Sequence, residues 1–403
     1  MLEAEPNTNT EFTILDYLNR DSWRAVLRYV PMQDLLRSEN VSRRWQRVVL
    51  QYLEEIRFSF WGREDNSPSN TFNWKLRISA YQSFTRWTGK LGSRVVATYC
   101  KNGEHLNIIK TNCPNLEALT LINFEPKSKD QGLIQFNKDL KSLKRLCFHT
   151  CTISDELIKQ YIAHKPLEEL QFSYCEVTGE CLDSANLSNI KSLTFKACHK
   201  LLASHILTSV NLTKLELLTV PREILTEIQL VLDKMPKLEW LEMHIYQGNH
   251  CHLEHYNPLC SLTQLKHLST DLSVSDDAVE AITRCCKELR TLELCNCELL
   301  SLQSLRTICR NAGERLTEFA VYHYHQLLDD NVVDCVRRCP KLTLLCIGGM
   351  CGITPTLPEH VSDAKQDVSP EHVLHLDLTD FDLYDDFFGD SWAVYDYLIL
   401  VKP

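Results

Sequence analysis

The densest set of metal-ligating side chains is His250, Cys251, His252, Glu254 and His255, which mix soft and hard donors within six consecutive positions. Structural zinc sites draw paired ligands from two separated places. No Cys-x-x-Cys pair accompanies this group, so it reads as a polar connecting loop, and no metal is expected. A catalytic thiol would need a cationic, accessible setting. Cys295 is the best placed by its expected outward orientation, yet its outward neighbour is Glu293, whose charge disfavours a thiolate. The chain has only 12 glycines and contains no phosphate-cradling glycine loop, serine nucleophile elbow or zinc-protease helix signature. The expectation is a binding protein without catalytic residues and without a cofactor.

The elements that would carry binding residues come from one apolar pattern that recurs along most of the chain. Its clearest copies are Leu143, Leu146, Phe148, Cys151; Leu167, Leu170, Phe172, Cys175; and Leu289, Leu292, Leu294, Cys297. Marked by the first apolar residue, the copies start at Leu116, Leu143, Leu167, Ile190, Leu212, Leu238, Leu265, Leu289, Leu316 and Leu342, spaced 22 to 27 residues apart. The alternating stretch in each copy suits a short strand with one buried face, and successive strands can pair side by side. The return segments, such as Ser275 to Cys286 and Asp329 to Cys339, read as helices with acidic residues or Ser at the start and basic ones near the end. Proline between helix and strand, as in Cys113-Pro114, Met235-Pro236 and Cys339-Pro340, stops the helix. The period is that of leucine-rich repeats, and a Cys two places beyond the last strand residue (Cys151, Cys175, Cys198, Cys297) resembles the cysteine-containing class of them. The expected fold is α/β, a leucine-rich-repeat solenoid or horseshoe. No single repeat can bury its own apolar face, so the array should fold as one unit.

This register names the residues that face the concave strand surface. They are Lys214, Glu216 and Leu218; Trp240, Glu242 and His244; His267, Ser269 and Asp271; Thr291, Glu293 and Cys295; Glu318, Ala320 and Tyr322. Repeat arrays commonly bind on that surface. From these the expected substrate-binding set is Glu216, Trp240, Glu242, His244, His267, Asp271, Glu293, Glu318 and Tyr322. Five acidic side chains against one Lys would favour a basic segment, with an exposed Trp240 as aromatic anchor. The same positions would also serve as the solvated polar face of any solenoid.

Residues 12–53 differ, because their apolar spacing is helical. About 40 residues make a core too small to be robust alone, so the module either caps the first repeat or docks on a partner. Leu18, Val26, Leu27, Val30, Pro31, Asp34, Leu35, Val41 and Trp45 fall at the positions of the F-box outline, and the segment resembles that motif. Asn19, Asp21 and Ser42 stand where the motif has Pro, Glu and Cys. The resemblance, next to an array type found with F-boxes, implies a small all-α F-box that holds a Skp adaptor and through it a cullin. The implied adaptor-binding residues are Leu18, Leu27, Val30, Pro31, Leu35, Val41 and Trp45. The array would then hold a protein substrate, making the chain a receptor subunit of an SCF-type ubiquitin ligase. The alternative is a repeat scaffold or inhibitor with a helical cap.

Around these parts, residues 54–115 read as a capping and linking segment with degenerate repeats, Ile56 to Phe60 being a capping strand. Residues 116–350 form the array of about ten repeats. Residues 351–403 form an acidic segment, with a terminal degenerate repeat at Val373 to Phe381. Between 359 and 396 it carries eleven Asp or Glu against Lys365, a run that reads as a solvated cap or flexible tail. The 403-residue chain is 44% hydrophobic and carries a net charge of -10, which disfavours nucleic acid as a partner because such binding needs a basic surface. No apolar run has the roughly 18 residues of a membrane span, and the polar, acidic start does not read as a secretory signal. The expected location is intracellular, cytoplasm or nucleus, with the 18 cysteines reduced and used as small core residues.

Overall fold

The computed structural model describes residues 20–27, 29–30, 34, 38, 41–55, 116–125, 140–162, 165–182, 189–206, 211–230, 232–245, 252–253, 256–349, 352–378 and 397–401. Leu18, Asn19, Pro31, Leu35, the Ile56 to Phe60 strand, and His250, Cys251, Glu254 and His255 lie outside them. The chain divides into two compact units, residues 1–122 with 126–144, and residues 123–125 with 145–403.

In the first unit, helices α1 (Arg20–Leu27) and α2 (Arg43–Glu55) meet through Trp23 and Trp45, whose rings pack edge to face at 5.7 Å. Leu27 and Val49 are fully buried. Ser42 precedes α2, and its hydroxyl accepts the Trp45 amide hydrogen at 3.0 Å, satisfying one of the helix's orphan donors. That gives the departure at Ser42 a local structural use. The strand β1 (Ala118–Ile122) also belongs to this unit.

The second unit is the leucine-rich-repeat solenoid. Its strands are β2 (Arg145–His149), β3 (Glu169–Ser173), β4 (Ser192–Lys196), β5 (Lys214–Val220), β6 (Trp240–Ile245), β7 (His267–Thr270), β8 (Thr291–Leu294), β9 (Glu318–Tyr322), β10 (Leu344–Gly348), β11 (Leu374–Asp377) and β12 (Leu398–Val401). They lie in one sheet in chain order, and every pairing is parallel. All ten repeat markers are at most 2% exposed. Inside the sheet, Phe148, Phe172 and Phe195 stack face to face with centroids 5.4 and 5.2 Å apart, because equal register places them at equivalent positions.

Several strands end in a repeated turn. Thr150, Tyr174, Ala197 and His323 take positive φ between 52° and 57°, and each donates its amide hydrogen to the carbonyl of the next strand. After Thr150, Tyr174 and Ala197 the next residue is a Cys whose buried thiol is satisfied by backbone. Cys175 donates to the carbonyls of Phe148 and Ser173, and Cys198 to those of Phe172 and Lys196. A buried Cys suits this place because it fills small volume and donates one weak hydrogen bond.

Helices α3 (Asp155–Ile162), α4 (Ala203–Ile206), α5 (Arg222–Gln229), α6 (Asp276–Cys285), α7 (Leu302–Ala312), α8 (Asp329–Arg338) and α9 (Leu357–Val368) return the chain. Three of them begin with an Asp that binds the following repeat. Asp155 accepts from the amides of Thr178, Gly179 and Cys181 at 2.9 to 3.1 Å. Asp276 does the same for the amide of Ser301 and the hydroxyls of Ser301 and Ser304, and Asp329 for Thr354. Repeats are therefore tied by helix-leading carboxylates as well as by strands.

Burial alone would raise the Asp155 carboxyl, but the amide donors of Thr178 and Cys181 outweigh it and hold the group below its ordinary 3.8. A carboxyl depressed in the fold contributes stability above the unfolded value and loses it as pH falls through the folded one. Asp155→Asn should therefore cost about 1–3 kcal/mol near neutrality, with the gap to wild type closing as pH falls past the ordinary 3.8 and through the lowered value. Urea midpoints across that range check this. Burial raises Glu169 and Asp271, which act in the opposite sense, so the difference between variant and wild type is the quantity to follow.

Within the acidic C-terminal segment, α9 packs into the array with Leu357, Val361, Ala364 and Lys365 buried. This part of the segment is a packed helix rather than a solvated tail. β11 falls within the stretch that reads as a terminal repeat, and β12 adds one more strand. Among the described residues no helix is long and apolar enough to cross a membrane.

Candidate functional site

On strands β4 to β9 the residues between the buried ones form three columns on the open face of the sheet. The register aligns Lys214, Trp240, His267, Thr291 and Glu318 in the first, and Thr194, Glu216, Glu242, Ser269, Glu293 and Ala320 in the second. His244, Asp271, Cys295 and Tyr322 follow at the strand ends.

Trp240 is half-buried, which corrects its expected exposure. One face of the indole stacks on the His267 ring at 3.5 Å, nearly parallel, and the Lys214 ammonium lies 4.7 Å from the indole centroid. Its N–H donates to Glu242 Oε1 at 2.8 Å, and Lys214 Nζ reaches Glu216 at 2.8 Å. The indole is thus held from both sides and fixed in rotation before any partner arrives. His267 is 3% exposed, far less than a contact residue on an open face would be. Its Nε2 lies 3.5 Å from Glu242, too long for a well-formed hydrogen bond. It supports the indole from beneath.

The remaining carboxylates are also held. Thr194 donates its hydroxyl to Glu216 at 2.6 Å, Ser269 to Glu293 at 3.0 Å and Thr291 to Glu318 at 3.3 Å. The Ile245 amide donates to Asp271 at 2.8 Å, and His244 Nε2 sits 3.1 Å from the Ser269 hydroxyl. A chain of polar contacts therefore spans these repeats, with the carboxylates in fixed places. Thr194 is not among the expected site residues, which begin at the repeat of Lys214. Its place in the central column, one repeat before Glu216, is the signal that identifies it.

Burial pushes the Glu242 carboxyl up, but the His267 ring and the Trp240 N–H outweigh that and hold it below the usual range. At Asp271 burial wins over the nearby His244 and the group is raised. Cys295 is pushed far up, first by burial and then by Glu293 and Asp271, and its thiol lies 3.8 Å from Glu293. A thiol held protonated in this way is not prepared as a nucleophile. Tyr322 is likewise raised by burial.

The expected adaptor-binding positions separate into two kinds. Val41 is 71% exposed, with Val26 at 47% and Tyr29 at 82% beside the same motif, whereas Leu27 is 1% exposed and serves the module's own core. Trp45 is half-buried, with its N–H donated to the Ser38 hydroxyl, and Val30 is partly covered.

No family model and no curated protein matches the chain. Among solved structures it is similar to a chain of the crystal structure of the yeast Rad7 and Elc1 complex. That match has 16% identity, covers 92% of this chain and 98% of that one, and has a TM-score of 0.54. It is also similar to the leucine-rich-repeat protein LIC12759 of Leptospira interrogans, at 18% identity over 68% of this chain and 74% of that one, TM-score 0.41. A chain of the TLR13–ssRNA13 complex matches at 15% identity over 62% of this chain and 38% of its own, TM-score 0.40. The first of these likenesses shows a shared fold, which the repeat period and the parallel sheet identify as the leucine-rich-repeat solenoid.

Proposed function

We propose that the chain is the substrate-recognition subunit of an SCF-type ubiquitin ligase, a non-catalytic receptor. Residues 12–53 bind the Skp adaptor and through it the cullin, and the open face of the array binds a protein substrate. The observation that carries the reading is the F-box spacing from Leu18 to Trp45 standing ahead of a repeat solenoid. The similarity over nearly the full length is to a chain crystallised in a two-protein complex, which fits a subunit that works by assembly. Val26, Tyr29 and Val41 offer apolar surface that the module leaves exposed.

The array supports the substrate half through its fixed acidic groups. Complementary charge mainly speeds encounter and excludes wrong partners, so Glu216, Glu293 and Glu318 favour a basic segment. Glu242 is also a structural partner of Trp240, so charge is better removed at Glu293 and Glu318, where Gln keeps an acceptor for Ser269 and Thr291.

One purification experiment with mass spectrometry tests both halves. The wild-type chain should bring down a Skp adaptor, a cullin and a substrate. Without residues 12–53 it should keep the substrate and lose the adaptor and cullin. The Glu293→Gln, Glu318→Gln double variant should do the reverse. Loss of nothing in either case would reject the assignment.

A further inference from the structure

Three buried thiols that the proposed function does not use meet where consecutive helices of the array pack. Cys309 lies near the end of α7, Cys335 near the end of α8, and Cys339 directly after α8. Their sulfurs all lie within 4.8 Å of one another, and those of Cys335 and Cys339 are 4.0 Å apart. Two periods produce this meeting. Four residues along a helix bring Cys335 and Cys339 onto one face, and Cys309 precedes Cys335 by one repeat, which sets it at the matching place of the neighbouring helix.

Other buried thiols of this array give their hydrogen to a backbone carbonyl, as Cys175, Cys198, Cys286 and Cys297 do. Cys335 and Cys339 instead face each other. Beside them is the fully buried Lys365 of α9, whose ammonium donates to the carbonyls of Pro340 and Leu342 at 2.9 and 2.8 Å. Pro340 is the residue after Cys339. A buried ammonium calls for nearby negative charge; Glu371 supplies part of it, and a thiolate at Cys339 would add to it.

The dimensions admit a thiolate-bound ion, and the ligand count points to which one. A metal–sulfur bond of about 2.3 Å sets the three sulfurs of a trigonal plane about 4.0 Å apart, which matches the Cys335–Cys339 separation. Among the described residues no fourth His, Cys, Asp or Glu joins the cluster. Structural zinc takes four ligands, whereas soft thiolates alone also select copper(I). We propose that Cys309, Cys335 and Cys339 form a trigonal site for one copper(I) ion that links α7 to α8. Loading breaks three S–H bonds, forms three copper–sulfur bonds and releases three protons to solvent. Copper stays monovalent, so no electron is transferred.

The test uses the full chain, reduced and metal-free, titrated without oxygen against copper(I) held by a chromophoric chelator. The expected result is one equivalent withdrawn per chain, with X-ray absorption showing three sulfurs at about 2.3 Å. Losing an outer-shell partner weakens metal affinity by about 10–100-fold, so removing a ligand by Cys335→Ser or Cys309→Ala should weaken it by more than about a hundredfold. Cys286→Ala, a buried thiol outside the cluster, should change nothing. Having two ligand variants protects the test if one fails to fold, and the sulfur count on wild type needs neither. No uptake at one equivalent, equal uptake by both ligand variants, or a sulfur count of two would overturn the site. Tighter, four-coordinate binding of zinc would overturn the assignment to copper.

Discussion

Phe172→Ala should destabilise the array by about 3–5 kcal/mol, the range for truncating a well-packed core Phe. The side chain is fully buried and lies between two others, Phe148 and Phe195, so truncation removes both stacking contacts at once. Neighbouring repeats cannot close the gap readily, because each is held in register by parallel strands and by the Asp155 carboxylate on the following turn. Stability of a solenoid is roughly a sum of repeats and their interfaces. The loss should thus fall on two interfaces and shift the urea midpoint strongly. Tyr174→Ala, two residues away and 49% exposed, should cost less than about 1 kcal/mol. Similar costs for the two would contradict the stacked interior.

The repeat interior was legible because a buried position recurs with a period that composition alone would not produce. Leu116 through Leu342 each occupy the same place, and the sequence displays that place directly. The return helices were legible from Ser275, Asp276, Asp329 and the basic residues at their ends. Harder to read was what the side chains of one strand do to those of the next. Trp240 reads as an exposed aromatic from its own strand, and only the position of His267, 27 residues on, and of Lys214, 26 residues back, shows that both its faces are engaged. The helix-leading carboxylates are similar: Asp155 resembles any N-terminal acid, and its donors come from the next repeat. The thiol cluster is hidden for the same reason, since Cys335 and Cys339 stand four apart in a stretch that reads as a return helix, and Cys309 is one period away. The α9 stretch of the acidic segment reads as a solvated cap or flexible tail because its charge outweighs its pattern. Leu357, Val361 and Ala364 make a helical apolar stripe inside an acidic stretch, and that stripe packs.

The second large effect is expected at residues 12–53. Leu35 and Trp45 occupy the D-L and terminal Trp positions of the motif, and the module's apolar residues exceed what its own small core uses, since Val26, Tyr29 and Val41 remain exposed. Interfaces concentrate their energy in a few such side chains, with truncation of a hot spot costing at least roughly 2 kcal/mol. Leu35→Ala combined with Trp45→Ala should therefore weaken adaptor binding by several hundredfold or more, taking the two losses as roughly additive and tenfold per about 1.4 kcal/mol. Trp45 also packs on Trp23, so the module's own folding must be followed in the same sample. Solenoid stability, followed in the same sample, is the control that separates lost binding from lost folding.

Direct titration of the purified chain with a purified Skp adaptor tests the central claim most directly. The prediction is saturable one-to-one binding by wild type, absent at the same concentrations in a Leu35→Ala, Trp45→Ala variant whose helices and array remain folded. Equal adaptor binding by that folded variant, or no binding by wild type, would contradict the receptor assignment.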